Sequence, residues 1–246
     1  MEFGAAWALA VVVAGAGAGT CTVQSPAHRV ALVELYTSEG CSSCPPADKY
    51  LGELQAGDKL VPLALHVDYW NYLGWKDPYG RAAFTERQRW LSDLARSRTI
   101  YTPELFVGGR ELRSWPGGVA TAVERVNAQP AGAEINISVG TPQAGALPLE
   151  VRASAQRGGK LHVAVTEDGL RNQVAAGENR GRMLRHEHVV REWLAPVSVA
   201  AGGTGGLARS VPLPAGVNAD RLAVVAFVQT DEGEVLQAAS LKVCKR

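Results

Sequence analysis

Two cysteines, Cys41 and Cys44, are the residues whose type and spacing point most directly to chemistry. They form a C-x-x-C motif that follows an apolar run and precedes a helical pattern. At a helix N-terminus the dipole and the free N–H groups stabilise a thiolate, the species that attacks a disulfide. The motif therefore predicts a dithiol–disulfide exchange centre, in which Cys41, ahead of the helix, is the more exposed and more acidic thiol.

The same spacing also occurs in zinc sites and in purely structural disulfides, so both stay alternatives. A structural zinc ion needs two further Cys or His ligands. Cys21 and Cys244 each lie alone near a terminus, and no second C-x-x-C is present in the sequence. The histidines are scattered at His28, His66, His162, His186 and His188. This distribution favours redox chemistry over zinc binding.

The elements that must position the cysteines follow an α/β order. Residues 30–36 are almost continuously apolar, which is typical of a strand buried on both faces. After the motif, apolar residues recur at helical spacing at positions 47, 50, 51 and 54. A second buried strand is predicted over residues 60–67, joined to the first by a right-handed crossover. A helix near residues 81–96, a hairpin that begins at Leu105 and a helix over 116–127 complete a predicted α/β domain, residues 28–128.

The pattern changes after a linker at residues 129–132. From Glu134 onward the sequence alternates apolar and polar residues in about seven short segments, separated by Gly, Pro and Asp turns. Short strands at this spacing are typical of a β-sandwich. We therefore predict a second, mostly-β domain over residues 133–246.

Composition and charge exclude several classes of protein. Of the 246 residues, 46% are hydrophobic and 20% charged, which indicates a globular chain. The formal net charge is +1, with no basic stripe, so nucleic-acid binding has no electrostatic support. No stretch beyond the N-terminus approaches the roughly 20 apolar residues that span a bilayer.

Residues 1–18 are interpreted as a signal peptide. An apolar segment over residues 5–14 runs into small residues that fit a cleavage site at Ala16 or Ala18, although no Lys or Arg precedes it. An uncleaved anchor, or lipid attachment at Cys21, stays an alternative. Export to the periplasm or beyond would favour cysteine pairing. If Cys41 pairs with Cys44, Cys21 is left to pair with Cys244.

Residues 30–128 resemble the thioredoxin fold, with the Thr102-Pro103 pair where that fold places its cis-proline. The whole chain further resembles a family of secreted bacterial proteins, domain of unknown function twelve twenty-three. That resemblance is carried by residues 33–48, 66–78, 101–103 and 177–182. Together the resemblances imply an α/β thioredoxin-like domain followed by a mostly-β, immunoglobulin-like sandwich. They imply export, but no particular reaction.

The thioredoxin resemblance also implies roles for four residues. Cys41 would be the nucleophile, Cys44 the resolving thiol, and Pro103 the cis-proline that presents a backbone edge to a substrate peptide. Glu34 would be the buried carboxylate that moves a proton, although one extra residue separates it from Cys41. An edge-facing or ion-paired Glu34 is the alternative. Gly40 departs from the aromatic residue that usually precedes the first cysteine.

Other polar and aromatic residues have two interpretations each. His66 and Asp68 could form an acid–base pair or act as metal ligands, but a structural histidine is the simpler interpretation. His186 and His188 have H-x-H spacing, which a metal site could use. The aromatic run over residues 69–79 could be a substrate platform or could pack a loop onto the core. Arginines near residue 180 could form a solvated or partner-facing surface; they are Arg180, Arg182, Arg185 and Arg191.

We therefore expect an exported thiol–disulfide oxidoreductase that exchanges with a protein or small-molecule disulfide and needs no cofactor or metal. We expect no nucleic-acid partner and no membrane span in the mature chain. The alternative is a non-catalytic binding module of the cell envelope, in which the cysteines hold a static disulfide or a Cu(I) ion. A purely structural envelope protein is a third possibility.

Overall fold

The computed structural model describes residues 19–244, so the expected signal peptide lies outside the described residues. The described chain is mostly β, with 42% strand and 18% helix. Its first part contains five strands and three α-helices, in the order β1 (Cys21–Gln24), β2 (Ala31–Thr37), α1 (Pro45–Glu53), β3 (Leu60–His66), α2 (Ala82–Leu94), β4 (Glu104–Val107), β5 (Arg110–Glu111) and α3 (Trp115–Asn127).

The second part is built of strands alone, apart from one short 3-10 turn. Ten strands follow one another rather than the seven expected, because several are only three to five residues long. They are β6 (Ala133–Val139), β7 (Ala146–Ala155), β8 (Gly159–Glu167), β9 (Leu170–Gln173), β10 (Met183–His186), β11 (Val189–Trp193), β12 (Val197–Val199), β13 (Gly203–Pro212), β14 (Leu222–Gln229) and β15 (Val235–Lys242).

One nine-stranded sheet runs through both parts of the chain. Its path is β15-β14-β8-β11-β3-β2-β4-β5, and β12 pairs with β8 off this path. The junction is β11, which pairs in parallel with β3 at Val189 and Ala64 and antiparallel with β8. The expected α/β thioredoxin-like domain followed by a separate immunoglobulin-like sandwich is therefore wrong. Strands β2 and β3, which flank the cysteines, form a single sheet with five of the later strands: β8, β11, β12, β14 and β15.

The second sheet is antiparallel and has four strands, in the order β1-β6-β7-β13. Its alternating inward residues, such as Ile135, Ile137 and Val151, pack against Val163 and Val224 of the large sheet. Two sheets do face each other here, as a sandwich requires. One of them, however, is the same sheet that carries the C-x-x-C motif.

The large sheet is covered by helices where it approaches the cysteines. On one face, Ala47 and Leu51 of α1 pack with Val33 and Leu35 of β2. On the other face, Tyr36 of β2 belongs to the cluster that contains Phe84 and Leu91 of α2. Strand β2 is buried along its whole length, as its continuous apolar run predicts.

A disulfide joins Cys21 to Cys244, as predicted, with the two Cα atoms 5.9 Å apart. It connects β1, which pairs with β6, to the segment that follows β15. The two ends of the described chain are thereby held together. None of the helices within residues 19–244 has the length and apolar content needed to cross a lipid bilayer.

Candidate functional site

The two cysteines of the motif form a disulfide at the start of α1. Cys44 is the N-cap residue of the helix, and Pro45 and Pro46 occupy its first turn, where no N–H is missed. The Cα atoms of Cys41 and Cys44 are 5.5 Å apart. The sequence prediction of a C-x-x-C pair between a buried strand and a helix N-terminus is confirmed.

Exposure does not distinguish the two cysteines in this disulfide form. Both are 0% exposed, while Ser42 and Ser43 between them face solvent. The prediction that Cys41 is the more exposed and more acidic thiol concerns the reduced protein and stays a prediction.

Gly40, the residue before Cys41, leaves space for the side chain of Trp70. A Cβ atom at Gly40 would lie 2.9 Å from the Cβ of Trp70. An aromatic residue cannot be accommodated there, which explains the departure seen in the sequence.

Thr102 and Pro103 lie against the disulfide. The peptide bond between them is cis, as the resemblance implied. The carbonyl oxygen of Thr102 lies 3.7 Å from Cys41 Sγ and accepts a hydrogen bond of 3.4 Å from the Ser43 hydroxyl. Trp70 Nε1 donates to Thr102 Oγ1 at 2.8 Å. Three segments that are distant in sequence therefore meet at Cys41.

Glu34 is fully buried and ion-paired, which matches the alternative interpretation of this residue. Arg87 Nε donates to Glu34 Oε1 at 2.7 Å, and the Tyr36 hydroxyl donates to the same oxygen at 3.3 Å. Tyr36 and Glu34 share the face of β2 that packs on α2, whereas Val33 and Leu35 face α1. Glu34 therefore points away from the helix that carries the cysteines, and its proton-carrying role stays a prediction.

A cluster of five buried ionisable side chains lies beside α1; we call it the acid–histidine cluster. Its members are Glu39, Asp48, His66, Asp77 and His186. His66 Nδ1 hydrogen-bonds Asp77 Oδ2 at 2.8 Å, and the same oxygen accepts from the backbone N–H of Glu39 at 2.8 Å. The His66 and His186 rings meet edge to face, with centroids 4.9 Å apart.

The histidine pairings differ from those considered from the sequence. His66 pairs with Asp77 rather than with Asp68, which instead accepts a hydrogen bond of 2.6 Å from the Thr85 hydroxyl. His186 Nε2 bonds Glu39 Oε1 at 3.0 Å, whereas His188 Nε2 lies 3.1 Å from the carbonyl oxygen of Leu54. Within residues 19–244, no group of His, Cys, Asp and Glu is arranged to hold a metal ion.

The cluster contains groups whose pKa values move in opposite directions. Burial, the largest single influence, would raise the pKa of Asp77, but His66 and the backbone N–H groups of Glu39 and Tyr79 together outweigh it and the pKa is lowered. Burial would likewise lower the pKa of His66, but the carboxylates of Asp77, Asp48 and Glu39 together outweigh it and the pKa is raised. Burial raises the pKa of Asp48, against the opposing influence of His186 and His66. Burial therefore favours the protonated form of the Asp48 carboxyl group.

Asp48 lies one helical turn beyond Cys44. Its backbone N–H donates to the carbonyl oxygen of Cys44 at 3.0 Å. Side chains four residues apart share a helix face, and they tilt toward the N-terminus. Asp48 Oδ1 is buried without a hydrogen-bond partner, and Asp48 Oδ2 lies 4.0 Å from His186 Nδ1.

A loop between β9 and β10 covers the C-x-x-C turn from the other side. The Nδ2 atom of Asn179, which is fully buried, donates to the carbonyl oxygens of Glu39 at 2.9 Å and Cys41 at 2.8 Å. Glu178 Oε2 accepts from the backbone N–H of Ser42 at 2.8 Å. Sequence reasoning gave this loop no role in the site, although residues 177–182 are one of the stretches that carry the family resemblance.

Most of the aromatic run packs inward, as the simpler interpretation held. Trp75 Nε1 donates to Glu39 Oε2 at 2.8 Å, and Tyr79 is buried. Tyr72 is the exception, with 78% of its surface exposed. Within the run, Trp75 therefore binds Glu39, and Trp70 binds Thr102 next to Cys41.

The comparisons with known proteins give one family and two similar solved structures, and their descriptions name no activity. A family model described as "Protein of unknown function (DUF1223)" matches residues 32–229. None of the curated proteins matches the chain. Protein AGR_C_4864 from Agrobacterium tumefaciens is 28% identical, with a TM-score of 0.63, over 89% of this chain and 96% of that one. HBP35 of Porphyromonas gingivalis is 16% identical, with a TM-score of 0.64, over 89% and 76%, and shows similarity of fold alone.

Proposed function

Since this chain belongs to the DUF1223 family, to which no activity is assigned, we propose from the site itself that the protein exchanges disulfides through Cys41 and Cys44. One observation carries the proposal. The Cys41–Cys44 disulfide lies at the N-terminus of α1, with Cys41 Sγ against the carbonyl oxygen of Thr102. This arrangement puts a helix dipole and a neighbouring backbone edge beside one reactive sulfur.

The exchange has two balanced steps. A substrate thiolate attacks Cys41 Sγ, the Cys41–Cys44 bond breaks, and a mixed disulfide forms while Cys44 leaves as a thiolate that takes up a proton. A second substrate thiolate then attacks the substrate sulfur of the mixed disulfide, and Cys41 leaves as a thiolate. The substrate is oxidised to its disulfide and the protein is reduced to its dithiol. The reverse sequence reduces a substrate disulfide.

Asp48 supports this chemistry as a proton donor to the leaving Cys44 thiolate. It lies one turn along the same helix, and burial raises its pKa. The carboxylates and histidines that face it are Glu39, Asp77, His66 and His186. His186, which lies 4.0 Å away, connects Asp48 to the remainder of the acid–histidine cluster.

We place this activity in the periplasm or outside the cell. The apolar N-terminal segment supports export. Two disulfides account for all four cysteines, which is typical of proteins in oxidising compartments.

A second candidate function is a binding module whose Cys41–Cys44 disulfide is static. The complete burial of both cysteines favours it, because a substrate thiolate needs access to a sulfur. In that case the disulfide would fix the shape of the turn that Asn179 and Trp70 hold.

Equilibration with glutathione buffers distinguishes the two candidates. The folded protein is incubated at defined ratios of reduced to oxidised glutathione, and its free thiols are counted by alkylation and mass spectrometry. A variant with C41S and C44S, which keeps the Cys21–Cys244 disulfide, provides the background. We expect reversible exchange with a reduction potential above about −300 mV. A lower potential, or reduction only after unfolding, would establish the static disulfide.

A further inference from the structure

Strands β9 and β10 form a two-stranded ribbon apart from the two larger sheets. One face of the ribbon points toward the site: Asn172 donates to Glu39 Oε1 at 2.8 Å, and His186 and Leu184 are buried. Alternate residues face outward. Arg171 and Arg185 are exposed and lie directly opposite each other in the register.

The loop of the ribbon brings two further arginines to the C-x-x-C turn. Arg180 and Arg182 are exposed and follow Asn179 in this loop. Arg182 Nη1 donates to Asn179 Oδ1 at 2.7 Å, and Asn179 in turn holds the carbonyl oxygen of Cys41. Arg180 and Arg182 therefore lie in the loop that covers the C-x-x-C turn, and Arg171 and Arg185 lie on the outward face of the ribbon that carries this loop; we call the four the arginine surface.

No carboxylate neutralises the arginine surface. Among residues 19–244, no Asp or Glu oxygen lies within ion-pair distance of Arg171, Arg180, Arg182 or Arg185. The acids closest in sequence have other partners: Glu178 binds the Ser42 N–H, and Glu187 binds the Gly169 N–H. Like charges placed directly opposite on a ribbon destabilise it, so the stability of the ribbon does not explain Arg171 and Arg185.

Arg191, which the sequence grouped with these arginines, belongs elsewhere. It is ion-paired with Glu167 and lies over the ring of Tyr79, 5.4 Å from the ring centroid. Of the arginines that the sequence grouped near residue 180, the unpaired ones thus lie on the ribbon and its loop, and the loop covers the turn at the positive end of the α1 dipole.

We propose that the arginine surface docks an acidic polypeptide segment next to the reacting cysteine of the substrate. Charge complementarity selects Asp- and Glu-rich sequence, since guanidinium groups bind carboxylates in bidentate pairs. Exposed apolar side chains at the same place favour a polypeptide over an inorganic anion. Met183 on the ribbon is 55% exposed, and Tyr72 is exposed in the turn whose next residue, Leu73, approaches Gly177. The inference deepens the proposed function. It rests on disulfide exchange at Cys41 and Cys44, because only then is the docked polypeptide a substrate.

Binding is tested without thiol chemistry, so that docking and exchange can fail separately. Three fluorescent peptides of equal length carry Ser in place of the reacting Cys, with Glu, Gln or Lys residues on both sides. Fluorescence anisotropy with the oxidised full-length protein is measured at low and at high salt. A single-stranded oligonucleotide of similar charge is measured in parallel. The R171E/R185E variant removes the outward pair of arginines, and R152E/R209E makes the same charge change on exposed positions of the four-stranded sheet.

We expect the Glu peptide to bind at least about tenfold more tightly than the Gln peptide at low salt, with the difference shrinking as salt screens the charges. R171E/R185E should abolish that preference and R152E/R209E should keep it. Equal binding of the three peptides, equal loss in both variants, or tighter binding of the oligonucleotide would overturn the inference. If the Glu peptide binds as expected but glutathione exchange fails, the docking surface stands and the proposed oxidoreductase function does not.

Discussion

Asn179 donates a hydrogen bond of 2.8 Å to the carbonyl oxygen of Cys41, a residue 138 positions earlier in the chain. The same Nδ2 atom donates to the carbonyl oxygen of Glu39. Both oxygens lie in a turn that no ladder of the sheet pairs. Asn179 supplies a donor to each of them, as buried carbonyl groups require, and the Cys41 oxygen also accepts from the Cys44 N–H at 3.3 Å. The turn before the disulfide is thus shaped by the β9–β10 loop.

Replacing Asn179 with alanine should therefore destabilise the whole protein. N179A leaves the carbonyl oxygen of Glu39 without its donor and the carbonyl oxygen of Cys41 with the Cys44 N–H alone, which costs about 1–3 kcal/mol of unfolding free energy. Urea unfolding measures the loss, and N136A, at an exposed asparagine that bonds only Glu134, is the control. A loss no greater than that of N136A would show that the loop does not hold the turn.

Replacing Asp48 with asparagine should slow disulfide opening while the fold is kept. D48N removes the proton that we assign to the leaving Cys44 thiolate, so reduction by a small thiol near pH 7 should slow by roughly tenfold or more, and its pH dependence should flatten. Stopped-flow measurement between pH 5 and pH 9 tests this. D58N, at an exposed position after α1, should behave as the wild type.

The E34Q variant tests, by the same measurement, whether Glu34 rather than Asp48 carries the proton. Glu34 is held by Arg87 on the far side of β2 from α1. We expect E34Q to lower stability, because it leaves Arg87 buried without its counter-charge, and to preserve the pH profile of reduction. If E34Q changes that profile and D48N does not, the proton-carrying role belongs to Glu34, as the resemblance implied.

The titration of Glu104 should make the free energy of unfolding fall as the pH rises. Burial raises the pKa of this carboxyl group from 4.5 to about 7, although Gln88 and Ser92 donate hydrogen bonds to it. Between these two pKa values the folded state holds a proton that the unfolded state has lost, so the stability contributed by this proton disappears as the pH rises from about 4.5 to about 7.

The E104Q variant mimics the protonated form and tests this directly. Relative to the wild type, E104Q should gain stability between pH 5 and pH 8, as measured by urea unfolding at both values. The variant E124Q, on an exposed position of α3, should show no such gain. An unchanged difference between E104Q and the wild type at the two pH values would contradict the prediction.

The Cys21–Cys244 disulfide should contribute more to stability than the Cys41–Cys44 disulfide. The first closes a loop of 223 residues and the second a loop of 3. The chain-entropy estimate gives about 5 kcal/mol for the long loop and about 2 kcal/mol for the short one. Urea unfolding of C21A/C244A and C41A/C44A compares them, and an equal or smaller loss for C21A/C244A would contradict the entropic account.

The local elements could be predicted from sequence because each depends on a pattern of a few neighbouring residues. The continuous apolar run of β2, the C-x-x-C motif and the stripe of α1 occupy neighbouring positions, and their order was correct. The chain-end disulfide followed from counting four cysteines. Such inferences need no knowledge of which distant segments meet.

Long-range pairing was beyond the reach of the same patterns. An alternating strand such as β8 has the same sequence signature whether it belongs to a separate sandwich or extends an existing sheet. The short strand β11 pairs in parallel with β3 and antiparallel with β8, so β8 extends the sheet that contains β3. Asp77 and Asn179 were missed for a related reason, since nothing within a few residues of either indicates His66 or Cys41 as its partner.

Because one sheet contains strands from both parts of the chain, cutting the protein between the two parts would expose an edge of that sheet. A fragment that ended near residue 130 would keep α1 and the cysteines but would lose β11, which covers the edge of β3. The uncovered edge would present a row of free N–H and C=O groups to any other strand. Such a fragment would also lack the loop donor of the Cys41 turn. The cysteines, which lie before residue 130, therefore depend on segments after residue 130 for their support. These segments are β11 and the loop that carries Asn179.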